Sequence, residues 1–73
     1  MKNFCVSYDL VGGDRYCNYN LIEDALLKLN GERIQKSVWI LILDDSWNHK
    51  RLEKCLTNYF NKDDSLFISR ISK

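Results

Sequence analysis

The sequence has no proline, only three glycines and a single histidine. From Glu32 to Leu43 it therefore contains neither of the two residues that most strongly punctuate backbone structure. Cysteine is scarce too: Cys5, Cys17 and Cys55 make an odd number without C-x-x-C spacing, and Cys5 and Cys55 fall within regular strand and helix patterns. That argues against a disulfide framework and leaves the cysteines as small buried hydrophobes in a reducing compartment. With His49 as the lone imidazole, a zinc site lacks its usual partners. No run approaches the roughly 20 apolar residues of a membrane span, and Met1 to Val6 lacks the apolar core of a signal peptide, so the expected setting is cytoplasmic, without a membrane partner. An excess of either charge is also missing. Eleven basic residues against ten acidic ones give a formal net charge of +1, which neither demands nor excludes nucleic acid.

What is present is organised around Gly31-Glu32-Arg33-Ile34-Gln35-Lys36-Ser37-Val38-Trp39, which runs on into Ile40-Leu41-Ile42-Leu43. Its glycine follows a helical pattern, where a residue able to take positive φ ends the helix, and the β-branched and aromatic residues beyond favour a pleated surface. From Ser37 onward, Ser37, Trp39, Leu41 and Leu43 fall on one face and Val38, Ile40 and Ile42 on the other. Both faces are apolar, and one layer of helices covers only one of them.

The remaining elements follow from periodicity. Phe4, Val6, Tyr8 and Leu10 alternate with Cys5, Ser7 and Asp9, which predicts a first strand with Asp9 near its end. Val11 to Cys17 is a loop; its Gly12-Gly13 pair satisfies neither a Walker nor a Rossmann phosphate motif. Asn18 or Asn20 can cap a helix, and Leu21, Ile22, Ala25, Leu26 and Leu29 form its apolar stripe up to Asn30-Gly31. Asp44-Asp45-Ser46 supplies a second cap, and Leu52, Cys55, Leu56, Tyr59 and Phe60 predict a second helix from about Trp47 to Phe60. Asn61 to Asp64 turns, and Ser65 to Ile71 closes as a strand.

If the chain bends near Gln35-Lys36, the order is βαββαβ. The expected fold class is α+β, ferredoxin-like, with two helices on one face of an antiparallel sheet in a single domain spanning residues 1–73. On this plan Cys5, Ser7 and Asp9, together with Trp39 and Leu41, are expected to face away from the helices. A chain this short, without a disulfide or metal staple, is expected to cover that face with a second copy. A symmetric sheet-to-sheet homodimer would bring two Asp9 side chains near the twofold axis.

Three segments, in order and spacing, resemble the Cas2 family of small CRISPR-associated proteins. Ser7-Tyr8-Asp9-Leu10 is similar to the family's first strand ending in Tyr-Asp; Gly31 to Trp39 is similar to its G-x-R-x-Q-x-S-V-aromatic signature; and Asp63-Asp64-Ser65-Leu66-Phe67-Ile68 is similar to the approach to its last strand. The resemblance implies a ferredoxin-like homodimer that accompanies the spacer integrase, some members being metal-dependent endonucleases. VapD-type toxins, which cleave RNA and pair with antitoxins, share the fold. The resemblance also implies that Asp9 of each subunit is catalytic and holds Mg2+ or Mn2+ between the two subunits. Two departures stand out: Ile40 occupies a position where the family often has an acidic or polar residue, and Lys73 follows the last strand closely where many members continue.

Magnesium suits such a site, because it keeps several waters and needs only one or two carboxylates plus substrate phosphate. The residues alone leave Asp9 open between metal ligand and turn cap, and Asp14 between second ligand and ordinary turn residue. Arg15, Arg33, Lys36 and Ser37 are candidate RNA or DNA contacts, with Arg70 and Lys73 as further cations and Tyr16 and Tyr19 as possible stacking partners. Each could equally be a solvated charge or a core-edge aromatic, and His49 reads as a surface residue. The leading expectation is an endoribonuclease; the alternative is a non-catalytic nucleic-acid-binding dimer that serves an integrase or another assembly.

Overall fold

The computed structural model describes residues 1–71. Strand β1 (Lys2–Asp9) leads through a loop into helix α1 (Tyr16–Lys28), followed by β2 (Glu32–Gln35), β3 (Val38–Leu43), α2 (His49–Leu56) with a 3-10 turn at Thr57–Tyr59, and β4 (Ser65–Ile71). The four strands form one antiparallel sheet in the order β2-β3-β1-β4. This is the expected ferredoxin-like βαββαβ plan, with β1 central and hydrogen-bonded on both sides.

Alternation in β1 sends Phe4, Val6 and Tyr8 into the core. Ile22 and Leu26 of α1 and Leu52 and Leu56 of α2 meet them there, all four fully buried. Such a core depends on each large aliphatic group, since truncating one to Ala costs about 2–5 kcal/mol.

The register reverses one expectation. Val6 lies opposite Trp39 and Phe4 opposite Leu41, and residues directly opposite share a face. Trp39 and Leu41 are therefore buried under the helices, at 2% and 0% exposure, rather than turned toward a partner. The open face carries Val38, Ile40 and Ile42 instead, beside Cys5, Ser7 and Asp9 of β1 and Phe67 of β4. The division of β3 into two apolar sets holds; it is the sets that exchange places.

Other local expectations shift for identifiable reasons. Helix α1 begins at Tyr16 without a side-chain cap, because the Asn18 side chain is drawn to the Tyr59 carbonyl (3.2 Å) and to Arg15 Nε (3.1 Å). Helix α2 begins later than expected, at His49, because Asp44 turns its carboxylate to the Ser46 amide and Asn48 accepts from the Arg51 amide (2.8 Å). Cys55 and Cys17 are exposed and Cys5 half-buried, so the expected burial of the cysteines does not hold.

The positive φ expected of Gly31 at the end of α1 belongs to the residue before it. Asn30 takes the positive φ (59°), and the Gly31 amide donates to the Leu26 carbonyl at 2.8 Å while that of Asn30 donates to Leu27 at 2.9 Å, a Schellman closure. Gly31 is needed for space: a Cβ there would lie 2.6 Å from Leu41 Cδ2 and 2.8 Å from the Leu26 carbonyl oxygen. Gly31→Ala should therefore destabilise the fold by roughly 1–3 kcal/mol, as overpacking does. Asn30→Gly, at a position where glycine costs no strain, should stay within about 0.5 kcal/mol. Urea unfolding of the two variants checks the contrast.

Candidate functional site

The site is built from the C-terminal end of β1 outward. Tyr8 points inward, where its hydroxyl accepts a hydrogen bond from Trp39 Nε1 (3.2 Å) and burial pushes its ionisation up. The next residue, Asp9, points to the open face, opposite Ser65 of β4, and is exposed. Among the described residues its carboxylate has no ion-pair partner.

The backbone amides near the end of β1 are bound by another acid. The Asp64 carboxylate accepts from the Val11 amide (2.9 Å) and the Asn61 amide (2.7 Å), and it receives a two-pronged contact from the Arg15 guanidinium at 2.8 and 2.6 Å. Arg15 also donates to the Val11 carbonyl (2.5 Å) and, through Nε, to Asn18. This clamp ties the loop after Asp9 to the turn before Asp9's cross-strand neighbour. Both side chains are almost wholly enclosed, at 9% and 0% exposure. The Arg15 guanidinium, with the two amides, holds the Asp64 carboxyl well below the usual carboxylate range.

The other expected contacts fall at the same end of the sheet. The chain bends at Lys36-Ser37, one residue later than the expected Gln35-Lys36, and the Ser37 carbonyl accepts from the Tyr8 amide (3.2 Å), which sets this turn beside the end of β1. Ser37 lies in the turn, half-buried, rather than on the Asp9 face of a strand. Lys36 is exposed and unpaired among the described residues. Arg33 sits on the helix side, its guanidinium 5.3 Å from the Trp39 ring centre and paired with Glu23 of α1. The structure thus gathers Asp9, Lys36 and Ser37 at one end, while Arg15 and Arg33 are engaged in ion pairs. Asp14 occupies the loop with a positive φ of 56°, as a turn residue does. His49 and Arg70 are exposed, and Lys73 lies outside the described residues.

A family model described as CRISPR associated protein Cas2 matches residues 1–73. The chain belongs to the Cas2 family. Its fold is similar to the crystal structure of a hypothetical protein from Thermus thermophilus, with a TM-score of 0.74 and 23% identity over 99% of this chain and 83% of that one. No curated protein sequence matches. Family membership makes the role of this Cas2 chain CRISPR-associated and fits a nucleic-acid or protein partner.

Among the described residues no three His, Cys, Asp or Glu side chains cluster as a metal cage. Asp9 is the exposed carboxylate at the strand end, so one chain offers one anionic ligand there. That donor set is the minimum for a magnesium-type ion, which is held by one or two carboxylates with water and substrate phosphate. No described helix is long and apolar enough to cross a membrane. The role of Asp64 is not legible in the Asp63-Asp64-Ser65 segment, because its partner Arg15 is 49 residues away.

The clamp makes stability depend on pH. A carboxyl with a depressed folded-state pKa stabilises the fold above its ordinary value near 4, and that contribution is lost as pH falls toward the folded value, because the unfolded chain takes up the proton first. Asp44 and Asp45, also lowered, act in the same direction. Asp64→Asn should lower the melting temperature at pH 7 and flatten, without abolishing, the loss of stability below about pH 4. Thermal unfolding across that range measures both effects.

Proposed function

We propose that this Cas2 protein is a metal-dependent endoribonuclease that works as a sheet-to-sheet homodimer, with Asp9 of each copy as the catalytic metal ligand. One observation carries the reading: Asp9 is exposed at the end of an interior strand and has no ion-pair partner among the described residues, while Asp64 does the loop-binding work that would otherwise explain an acid there. A carboxylate left without a structural task at a strand end is available for function.

The dimer rests on the open face. Val38, Ile40, Ile42 and Phe67 make it apolar, with Ile42 at 54% and Phe67 at 64% exposure. Burial of such a patch is worth roughly 25 cal/mol per Å2, and Asp9 lies on the same face, so pairing two sheets would gather carboxylates from both copies. Asp9, twice over, would hold Mg2+ or Mn2+, and the ion when bound polarises a phosphodiester and activates water or a ribose hydroxyl. Lys36 and the Ser37 hydroxyl contribute contacts to the substrate phosphates. Arg15 serves by holding the loop after Asp9.

A second reading is a non-catalytic dimer that binds nucleic acid for an integrase or a toxin-type assembly. It is favoured by the single carboxylate that each chain contributes, and it needs Lys36 rather than Asp9.

Labelled RNA and DNA should be incubated with Mg2+, Mn2+ or EDTA, with wild type and Asp9→Ala compared. The expected result is metal-dependent RNA cutting that falls in the variant by more than the ~10–100-fold typical of losing a metal site's outer-shell partner. Thermal stability should change by less than about 0.5 kcal/mol, Asp9 being exposed. Equal cutting by both proteins would refute Asp9 as the ligand, and binding without cutting in either would support the second reading. For the dimer, sedimentation of Phe67→Asp should show a folded species of 8.7 kDa where wild type is twice that mass. A monomeric wild type at low micromolar concentration would contradict the proposal.

A further inference from the structure

On the helix side of the same sheet end, the N-terminal half of α1 and the β2–β3 turn enclose a cleft of about 220 Å3, lined by Tyr16, Tyr19, Asn20, Glu23 and Lys36. We propose that this cleft seats one unstacked base of a single-stranded nucleic acid, with the adjoining phosphate on Lys36; the proposal rests on the nucleic-acid reading above and extends it to a defined subsite.

The walls supply what a base needs. Tyr16 is 78% exposed, an aromatic ring standing in solvent at the start of α1. Tyr19 is half-buried and held by the ring of Tyr8, 6.1 Å away, so the second aromatic wall is fixed before any ligand arrives. A base stacks on such rings whatever its identity, because every base has a π-face.

Charge points the same way. Glu23 is paired with Arg33, whereas Lys36 has no ion-pair partner among the described residues, which leaves the rim with an uncompensated positive charge. Aromatic rings beside an unpaired cation form the pattern that binds single strands. The volume lies below the 300–1,000 Å3 common for drug-sized ligands, in keeping with one base rather than a dinucleotide. Position completes the argument: Lys36 and Ser37 form the turn whose carbonyl meets the Tyr8 amide, so a strand passing Asp9 on the open face can place a neighbouring nucleotide in the cleft.

The test compares two short RNA strands of equal length in EDTA, one oligouridine and one wholly abasic, by fluorescence anisotropy. Wild type is expected to bind oligouridine more tightly than the abasic strand. Tyr16→Ala should weaken oligouridine binding about tenfold and leave the abasic strand unchanged, since stacking is lost while the phosphates are still met. Tyr16→Phe should bind as wild type does, and Lys36→Gln should weaken both strands alike and lower the salt slope by about one. The subsite is overturned if wild type binds both strands equally, a comparison that needs no variant, or if folded Tyr16→Ala keeps the preference. Failure of wild type to bind either strand overturns the nucleic-acid reading beneath it.

Discussion

The structure depends on β1 being an interior strand, paired on both edges, of a sheet covered by helices on one side only. A strand hydrogen-bonded on both edges cannot slip by one residue without turning its whole buried set outward. That constraint puts Phe4, Val6 and Tyr8 in the core and Cys5, Ser7 and Asp9 on the open face. It makes neighbours in sequence into opposites in role: Tyr8 is a buried hydrogen-bond acceptor, and Asp9 is an exposed carboxylate. The chemistry proposed for Asp9 is thus a consequence of packing one residue earlier.

The end of β1 is held by the clamp between Arg15 and Asp64. Short loops are usually satisfied by their own polar side chains; here the loop after Asp9 is satisfied by an acid from the other end of the chain. One carboxylate takes the structural work, and Asp9 stays exposed, without an ion-pair partner among the described residues. The Lys36-Ser37 turn, brought beside β1 by the Tyr8 amide, adds a cation to the same end, and α1 adds an aromatic cleft on the far side. An acid on one face and a stacking surface on the other suit a single-stranded polymer that wraps around the end of the sheet.

The sheet and helices were largely legible in the sequence because their patterns are periodic. The strand from Ser65 to Ile71 appears where expected, the bend falls at Lys36-Ser37, one residue past the expected Gln35-Lys36, and Asp9 lies at the end of its strand. Helix boundaries were less legible, since the side chains that set them are recruited by distant groups: Asn18 bonds the Tyr59 carbonyl, so it does not cap α1. Gly31 is needed for space rather than for a positive φ. Its φ is a local matter, but the nearest atom that excludes a Cβ there belongs to Leu41, ten residues further along the chain, beside the carbonyl of Leu26 in its own helix.

By itself the sequence determined the βαββαβ order, the two apolar sets of β3 and the outward position of Asp9, because a period of 2 or 3.6 is a property of neighbouring residues. Only the tertiary structure decided which set of β3 meets the helices, since that follows from pairing Val6 with Trp39 and not from either strand alone. It alone also showed that Arg15 belongs to Asp64 and Arg33 to Glu23, because charges declare their partners only once the fold has brought them together.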